Sequence, residues 1–357
     1  MKKFIFTLAG VVLALGASVA LTTGQDPTPT AGEKPPVKWA IALHGGAGKP
    51  PEGLPPEKIA TFKKEVLANL ENALKTGRDM LADGKSALDA VEAVVRVMED
   101  DPNLNAGRGS VMNIAGGFEM HASIMDGKTR DCGAVAAINE VRNPISLARK
   151  VMEETEYIIL VGDGAEAFAK EMKADMVQPK YFRTELRYNN WIEARKDLGL
   201  PVPGEKPAGM GRVPDRDLNP EEMIGTVGCV AMDEDGNLAA ATSTGGVSHK
   251  RVGRMGDSSI IGAGNFADNR TCAVSCTGIG EHFIRNSVAF HLSALMRYEE
   301  LTVKEAASTM VDDVLLEGTG GLIAIDKEGN IAMDYNRDGM RRAAADSNGT
   351  YIVEYWE

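Results

Sequence analysis

Thr226 and Thr244 stand eighteen residues apart, the first in Gly225-Thr226-Val227-Gly228 and the second in Thr242-Ser243-Thr244-Gly245-Gly246. Between them lie the apolar run Cys229-Val230-Ala231-Met232, the acidic turn Asp233-Glu234-Asp235-Gly236-Asn237 and the apolar run Leu238-Ala239-Ala240-Ala241. Apolar runs on either side of a polar, glycine-containing turn read as a β-hairpin. Closing the turn would bring the two hydroxyls side by side. A threonine becomes a competent nucleophile when its own α-amino group serves as the base, which requires the chain to be cut just before it. We place that cut at the Gly225–Thr226 bond, because glycine lets a scissile peptide bend at low steric cost. The freed amine would titrate at about 7.7–8, close to working pH, as a general base should. A single strand threonine usually has no chemical role; the second threonine, followed by two glycines, shifts the reading toward chemistry.

Two further constellations suit the same reaction. Thr277 and Gly278 follow an apolar strand and precede a helix beginning near Ile279. Such a junction aims backbone N–H groups and a positive helix end outward, which suits an oxyanion. Locally, an ordinary N-cap threonine explains the same residues. Gly253-Arg254-Met255-Gly256-Asp257 sets a cation and an anion three residues apart in a glycine-flanked loop. A free amino-acid head carries one carboxylate and one ammonium, so this pair can clamp both ends. The plain alternative is a surface salt bridge of little energetic weight.

These motifs come in a fixed order with Ile41-Ala42-Leu43-His44-Gly45-Gly46-Ala47-Gly48, Asn105-Ala106-Gly107 and Thr277-Gly278-Ile279-Gly280-Glu281. Together, over roughly residues 37 to 353, the chain resembles the plant-type (type 2) L-asparaginase/isoaspartyl aminopeptidase family of N-terminal-nucleophile threonine hydrolases. The resemblance implies an α+β fold, an αββα four-layer sandwich. It also implies Thr226 as nucleophile and base, Thr244 as its orienting partner, an oxyanion hole of the Thr277 hydroxyl and the Gly278 N–H, and Asn105 near the nucleophile. Arg254 would take the substrate α-carboxylate and Asp257 the α-ammonium. Met255, Gly256, Thr277, Gly278, Ile279 and Gly280 would complete the substrate site. The loop from Met98 to Arg108 resembles one that binds a structural sodium ion through main-chain oxygens. Carried across by position, these are the carbonyls of Met98, Glu99, Asp101, Leu104, Ala106 and Arg108. No cofactor is implied for catalysis, and the assembly implied is a heterotetramer, a dimer of processed α/β pairs.

The chain departs from the family pattern in two places. His121, in Met120-His121-Ala122-Ser123, stands where the family usually has Asp. Asn336-Arg337-Asp338-Gly339-Met340-Arg341-Arg342 replaces a pattern closer to Asn-Thr-x-Gly-Met-Tyr-Arg. Neither touches the nucleophile or the clamp, so both are expected to alter the pocket rim.

The elements that must position these residues are largely readable. Lys38 to Leu43 reads as a strand entering a His44-Gly45-Gly46 loop, where His44 is expected to be structural. The helical spacing covers Glu57 to Leu81, Ser86 to Glu99, Ser146 to Glu154, Gly164 to Lys173, Glu281 to Arg297 and Val303 to Leu316. Strands are expected at Phe118 to Met125, Cys132 to Ile138, Ile158 to Val161, Ser259 to Gly262, Cys272 to Cys276, Leu322 to Ile325, Ile331 to Tyr335 and Thr350 to Tyr355. From about Gln178 to Glu222 periodicity is lost, and a long structureless stretch just before Thr226 fits a processed linker. The domain division is therefore a signal peptide over residues 1–20 and a flexible tether over 21–37. An α subunit over 38–225 follows, its residues 178–225 a mobile linker, and then a β subunit over 226–357.

Bulk properties narrow the partners. With 357 residues and a formal net charge of −12, the chain has ample core and lacks the basic surface that nucleic acid or anionic membrane requires. Met1-Lys2-Lys3, the apolar stretch from Phe4 to Leu21 and the small residues Ser18-Val19-Ala20 read as a cleaved secretory signal, implying secretion to a bacterial periplasm with no membrane contact after removal. Cys272 and Cys276 sit in one expected strand, where four residues span about 13 Å, beyond the about 7 Å that a disulfide tolerates. Buried free thiols are the expectation. None of the five histidines has zinc-ligand spacing.

The reading is thus a self-cleaving amidohydrolase acting on L-asparagine and β-aspartyl peptides. Its alternatives are a glycosylasparaginase using the same machinery, and a non-catalytic envelope protein that binds amino acids.

Overall fold

A computed structural model describes residues 36–48, 56–203 and 225–355. The signal peptide, all but the end of the tether, and the linker over 204–224 lie outside the described residues. The strands are β1 (Ala40–Ala47), β2 (Met120–Asp126), β3 (Cys132–Ile138), β4 (Ile159–Val161), β5 (Val227–Met232) and β6 (Leu238–Thr244). They continue with β7 (Asn265–Ala267), β8 (Cys272–Gly278), β9 (Gly320–Asp326), β10 (Ile331–Tyr335), β11 (Met340–Asp346) and β12 (Tyr351–Glu354). The helices are α1 (Pro56–Ala82), α2 (Ala87–Glu99), α3 (Pro144–Glu154), α4 (Gly162–Glu171), α5 (Glu185–Asp197), α6 (Gly280–Asn286), α7 (Val288–Tyr298) and α8 (Val303–Ser308).

Side-chain alternation along the strands dictates the layering. One sheet runs β12-β11-β1-β5-β6-β2-β3-β4 and the other β10-β9-β8-β7. In β1, Ile41 and Leu43 join a core with Leu70 and Leu74 of α1 and Val91 and Val94 of α2. The alternate residues, Ala40 and Ala42, join Val274 of β8, Ile323 of β9 and Leu292 of α7 in a second core. The central strands of the larger sheet are buried on both faces, and alanines at its inner face let the sheets approach closely. The result is the αββα sandwich. No described helix is long and apolar enough to cross a membrane.

Helix α2 shows how the site's scaffold is pinned. Ser86 caps it by accepting from the Asp89 N–H at 3.1 Å, and Asp233, in the turn of the β5–β6 hairpin, accepts from the Ala87 N–H at 3.0 Å. The hairpin that carries both threonines is thereby tied to a helix N-terminus.

Several elements differ from the sequence reading. The expected structureless stretch contains α5, capped by Thr184 accepting from Arg187 N–H at 3.2 Å. Its attachment is Trp191, stacked on Tyr188 and His249, together with polar arms, so it lacks the apolar stripe that betrays most helices. The strand expected at Ser259 to Gly262 is instead a 3-10 turn over Asp257–Ser259 and a loop, and pairing with β8 falls to β7. The helix expected from Glu281 to Arg297 breaks at Ser287, which adopts φ 47°. There the amides of Ala289 and Phe290 donate to the carbonyls of Ala263 and Gly262 at 3.2 and 2.8 Å, so the loop replaces the helical acceptors. Strand β1 continues through Ala47 with an irregularity after His44. All four cysteines are free thiols.

Candidate active site

The β5–β6 register pairs Val227 with Ser243 and Gly228 with Thr242, which leaves Thr226 just ahead of β5 and Thr244 at the end of β6. The Thr226 Oγ1 hydroxyl donates to Thr244 Oγ1 at 3.2 Å. Thr244 Oγ1 also accepts the Gly246 N–H at 2.9 Å and donates to the Gly225 carbonyl at 3.4 Å. In the intact chain one hydroxyl thus aligns Thr226 and polarises the carbonyl just before it.

His44 proves to be more than a loop residue. Its Nδ1 lies 3.1 Å from the Thr226 carbonyl, which can only accept, so Nδ1 carries the proton. Nε2 then accepts from Ser275 Oγ at 3.0 Å, and Ser275 in turn contacts Thr242 Oγ1 at 2.7 Å. Burial, the largest influence, drives the imidazole down to about 3, leaving it neutral. It fixes the Thr226 backbone without acting as a base. A Cβ on Gly46, which has φ +105°, would lie 2.6 Å from Gly225 Cα, so the His44-Gly45-Gly46 turn must carry glycine there to touch the bond preceding Thr226.

Asn105 secures the other side. Its Nδ2 donates to the Gly246 carbonyl at 2.7 Å, its Oδ1 accepts from Val111 N–H at 2.9 Å, and its carbonyl accepts from Gly245 N–H at 3.0 Å. Its side chain is satisfied by the backbone, so it holds the Thr244-Gly245-Gly246 turn in place.

The cleft brings together Gly225, Thr226, Thr244, Arg254, Gly256, Asp257 and Gly278. It adds Gly246, Val247 and Ser258, which the sequence reading did not single out. Met255, Ile279, Gly280 and Asn105 stand behind or beside this lining. So does Thr277, fully buried, whose Oγ1 accepts from the Ala47 N–H at 3.4 Å. At Gly278, with φ +152°, an added Cβ would collide with the Thr319 carbonyl, so this position of the cleft requires glycine. Arg254 does not pair with Asp257. It makes a two-pronged contact with Glu281, Nε to Oε1 at 3.0 Å and Nη2 to Oε2 at 2.8 Å. Asp257 is buried, and its Oδ2 has no hydrogen-bond partner. Burial, ahead of every other influence, pushes this carboxyl up to about 7.

Comparison with known proteins places the chain in a family. A family model described as Asparaginase matches residues 37–354. The chain belongs to this asparaginase family. It is 44% identical to the isoaspartyl peptidase of Escherichia coli (strain K12) across 86% of this chain and 92% of that one. It is 41% identical to a probable isoaspartyl peptidase/L-asparaginase 2 of Arabidopsis thaliana, across 89% and 99% of the two chains. With the isoaspartyl peptidase/L-asparaginase of Mus musculus the identity is 41%, across 86% and 88%.

Within the asparaginase family pattern, the two departures sit deeper than the rim expected for them. His121 pairs with Thr244 across β2 and β6 and is buried. Its Nδ1 accepts the Ala137 N–H at 3.3 Å, which puts the proton of a neutral imidazole on Nε2. Nε2 faces Lys250 Nζ at 2.7 Å, while that Nζ donates to the Glu119 carbonyl at 2.6 Å. An amine can accept from Nε2–H only when it is uncharged. Burial likewise drives Lys250 down to about 7, with Arg254 lowering it further and Glu119 opposing. Register hid this pair, because nothing local links residues 121 and 250. Arg341 also lies inside, 6% exposed, close to Gly225 rather than at the rim.

Proposed function

We propose that the chain is a self-processing isoaspartyl peptidase/L-asparaginase. The relatives' names supply the substrate class, and one observation carries it to this chain. Asp257, whose buried carboxyl has one oxygen without a partner, lines the same cleft as Thr226 and Arg254. A substrate α-ammonium would satisfy Asp257, and its α-carboxylate would share Arg254 with Glu281. The β-amide would then face Thr226.

In this reading cleavage before Thr226 frees its α-amine. The amine takes the hydroxyl proton as Oγ1 attacks the β-carbonyl, and the Gly278 N–H with the Thr277 hydroxyl stabilises the oxyanion. The amine then protonates the departing ammonia or peptide amine, and water releases aspartate from the ester. Thr244 holds the nucleophile's oxygen throughout.

A structural sodium ion belongs to the same reading, held by the carbonyls of Met98, Glu99, Asp101, Leu104, Ala106 and Arg108. Carbonyls do crowd this buried turn: an added Cβ at Gly107 would collide with the Glu99 oxygen, and one at Gly109 would lie 2.7 Å from the Asp101 oxygen. Such neutral oxygen donors suit a hard cation, which would stiffen the loop carrying Asn105 and take no part in bond breaking. A secretory leader over residues 1–20, a periplasmic location and a dimer of processed pairs complete the proposal.

Turnover of L-asparagine, β-aspartyl-leucine and a GlcNAc-asparagine substrate by the processed protein tests it. Release of aspartate from the first two, with little from the third, is expected. Ligand binding without any turnover would instead mark an amino-acid-binding protein.

A further inference from the structure

Arg341 is the second residue of β11 and stands where the family motif usually has an aromatic residue. It is buried against the bond that precedes Thr226. A Cβ added to Gly225 would lie 3.3 Å from Arg341 Nη2, and one added to Gly46 would lie 2.9 Å from the same nitrogen. Gly46, Gly225 and the guanidinium are therefore packed against one another. Also at Gly225, Thr244 donates to its carbonyl at 3.4 Å.

The charges around Arg341 are unusual for the inside of a protein. Arg187 of α5 lies within its electrostatic reach, and both feel the carboxylate of Asp101. Among the described residues, His44 and Tyr355 also feel Arg341. Burial lowers both guanidines to about 10, which still leaves them charged at neutral pH. A guanidinium packed against this peptide is placed to receive the negative charge that develops there when the bond breaks.

We propose that Arg341 is the receptor for the α-carboxylate that self-cleavage creates at Gly225; this rests on the self-processing reading above. Thr226 Oγ1 attacks the Gly225 carbonyl carbon. The C–N bond breaks as the hydroxyl proton passes to the departing nitrogen, leaving a Gly225–Thr226 ester and a free amine. Water then adds to the ester carbon. The ester C–O bond breaks, Thr226 regains its hydroxyl, and the remaining proton charges the amine as Gly225 leaves as a carboxylate. A planar guanidinium matches both oxygens of that carboxylate, which a phenol or thioether in its place would not. Negative charge already develops on this group in the two tetrahedral intermediates, so the receptor also speeds their formation.

The test follows fragment formation in the full-length protein by intact mass. Arg341→Met is expected to slow the appearance of both fragments by about tenfold or more, and Arg341→Lys by only about threefold, since it keeps the charge but loses the fork. Dilute guanidinium chloride should restore cleavage to Arg341→Ala, whereas matched sodium chloride should not; this arm reads the charge even if the Met variant is poorly folded. Wild type that cleaves at Gly225–Thr226 while a folded Arg341→Met cleaves equally fast, or an Ala variant indifferent to guanidinium, overturns the receptor and leaves the cleavage reading standing. A wild-type chain that stays intact overturns both.

Discussion

The two halves of the cleft are built on opposite principles. Around Thr226 the groups already have partners: Thr244 serves Thr226, Gly225 and Gly246, and His44 locks the Thr226 carbonyl. Around Asp257 a buried oxygen waits without one, and Arg254 is held by a half-exposed Glu281 that a ligand can displace or share. In the proposed reaction the nucleophile side is organised before substrate arrives, while the clamp side would be completed by it. Preorganisation of hydroxyls and amides would lower the barrier; an unsatisfied carboxylate would supply selectivity, because the wrong ligand leaves it buried and unpaired.

Removing the nucleophile attacks the organised half and should have the largest effect. Thr226→Ala is expected to remain a single chain by intact mass and to lose asparagine turnover by about 10³-fold or more. Measurable turnover near the wild-type level would show the organised half to be idle. Asp257→Asn attacks the waiting half. It should raise KM for asparagine by roughly 30- to 100-fold with a smaller change in kcat, and a change confined to kcat would move Asp257 into the first half.

The same carboxyl sharpens the contrast through pH. The proposed clamp needs the Asp257 anion, so kcat/KM should fall as pH drops through about 7, steepened by protonation of the Thr226 amine. Stability of the ligand-free protein runs the other way. A carboxyl whose folded value is raised above its unfolded one stabilises the fold at low pH and loses that contribution as pH rises through about 7. Ligand-free Asp257→Asn should therefore melt higher than wild type above neutrality, with the gap closing toward pH 4. The smallest effect is expected from His121→Asp. A carboxylate beside Lys250 would hold its ammonium charged, so any inflection near pH 7 that Lys250 contributes to the rate profile should disappear with kcat changed by only about two- to threefold.

The organised half was the more legible in the sequence. The hairpin is written locally, as two apolar runs around Asp233–Asn237, and its closure alone brings Thr226 to Thr244. Cooperation across distant positions was not legible. His44 meets Thr226 through the β1–β5 ladder, Lys250 meets His121 through β6 and β2, and Glu281 reaches Arg254 from a helix. Each needs register or packing that spacing does not encode, Arg254 lying in a loop and Glu281 in α6. Helix α5 was missed for a related reason, because a helix fixed by a cap, one tryptophan and arginine arms leaves no periodic trace. Motif order did locate Arg254 and Asp257, yet the unsatisfied state of Asp257 became visible only with its neighbours in place.

The central claim is that Thr226 becomes a chain terminus. Intact-mass and N-terminal analysis of the purified protein after incubation tests it most directly. Two fragments, the second beginning at Thr226, are the predicted result. A stable chain running unbroken through Gly225–Thr226, still able to hydrolyse asparagine, would contradict it.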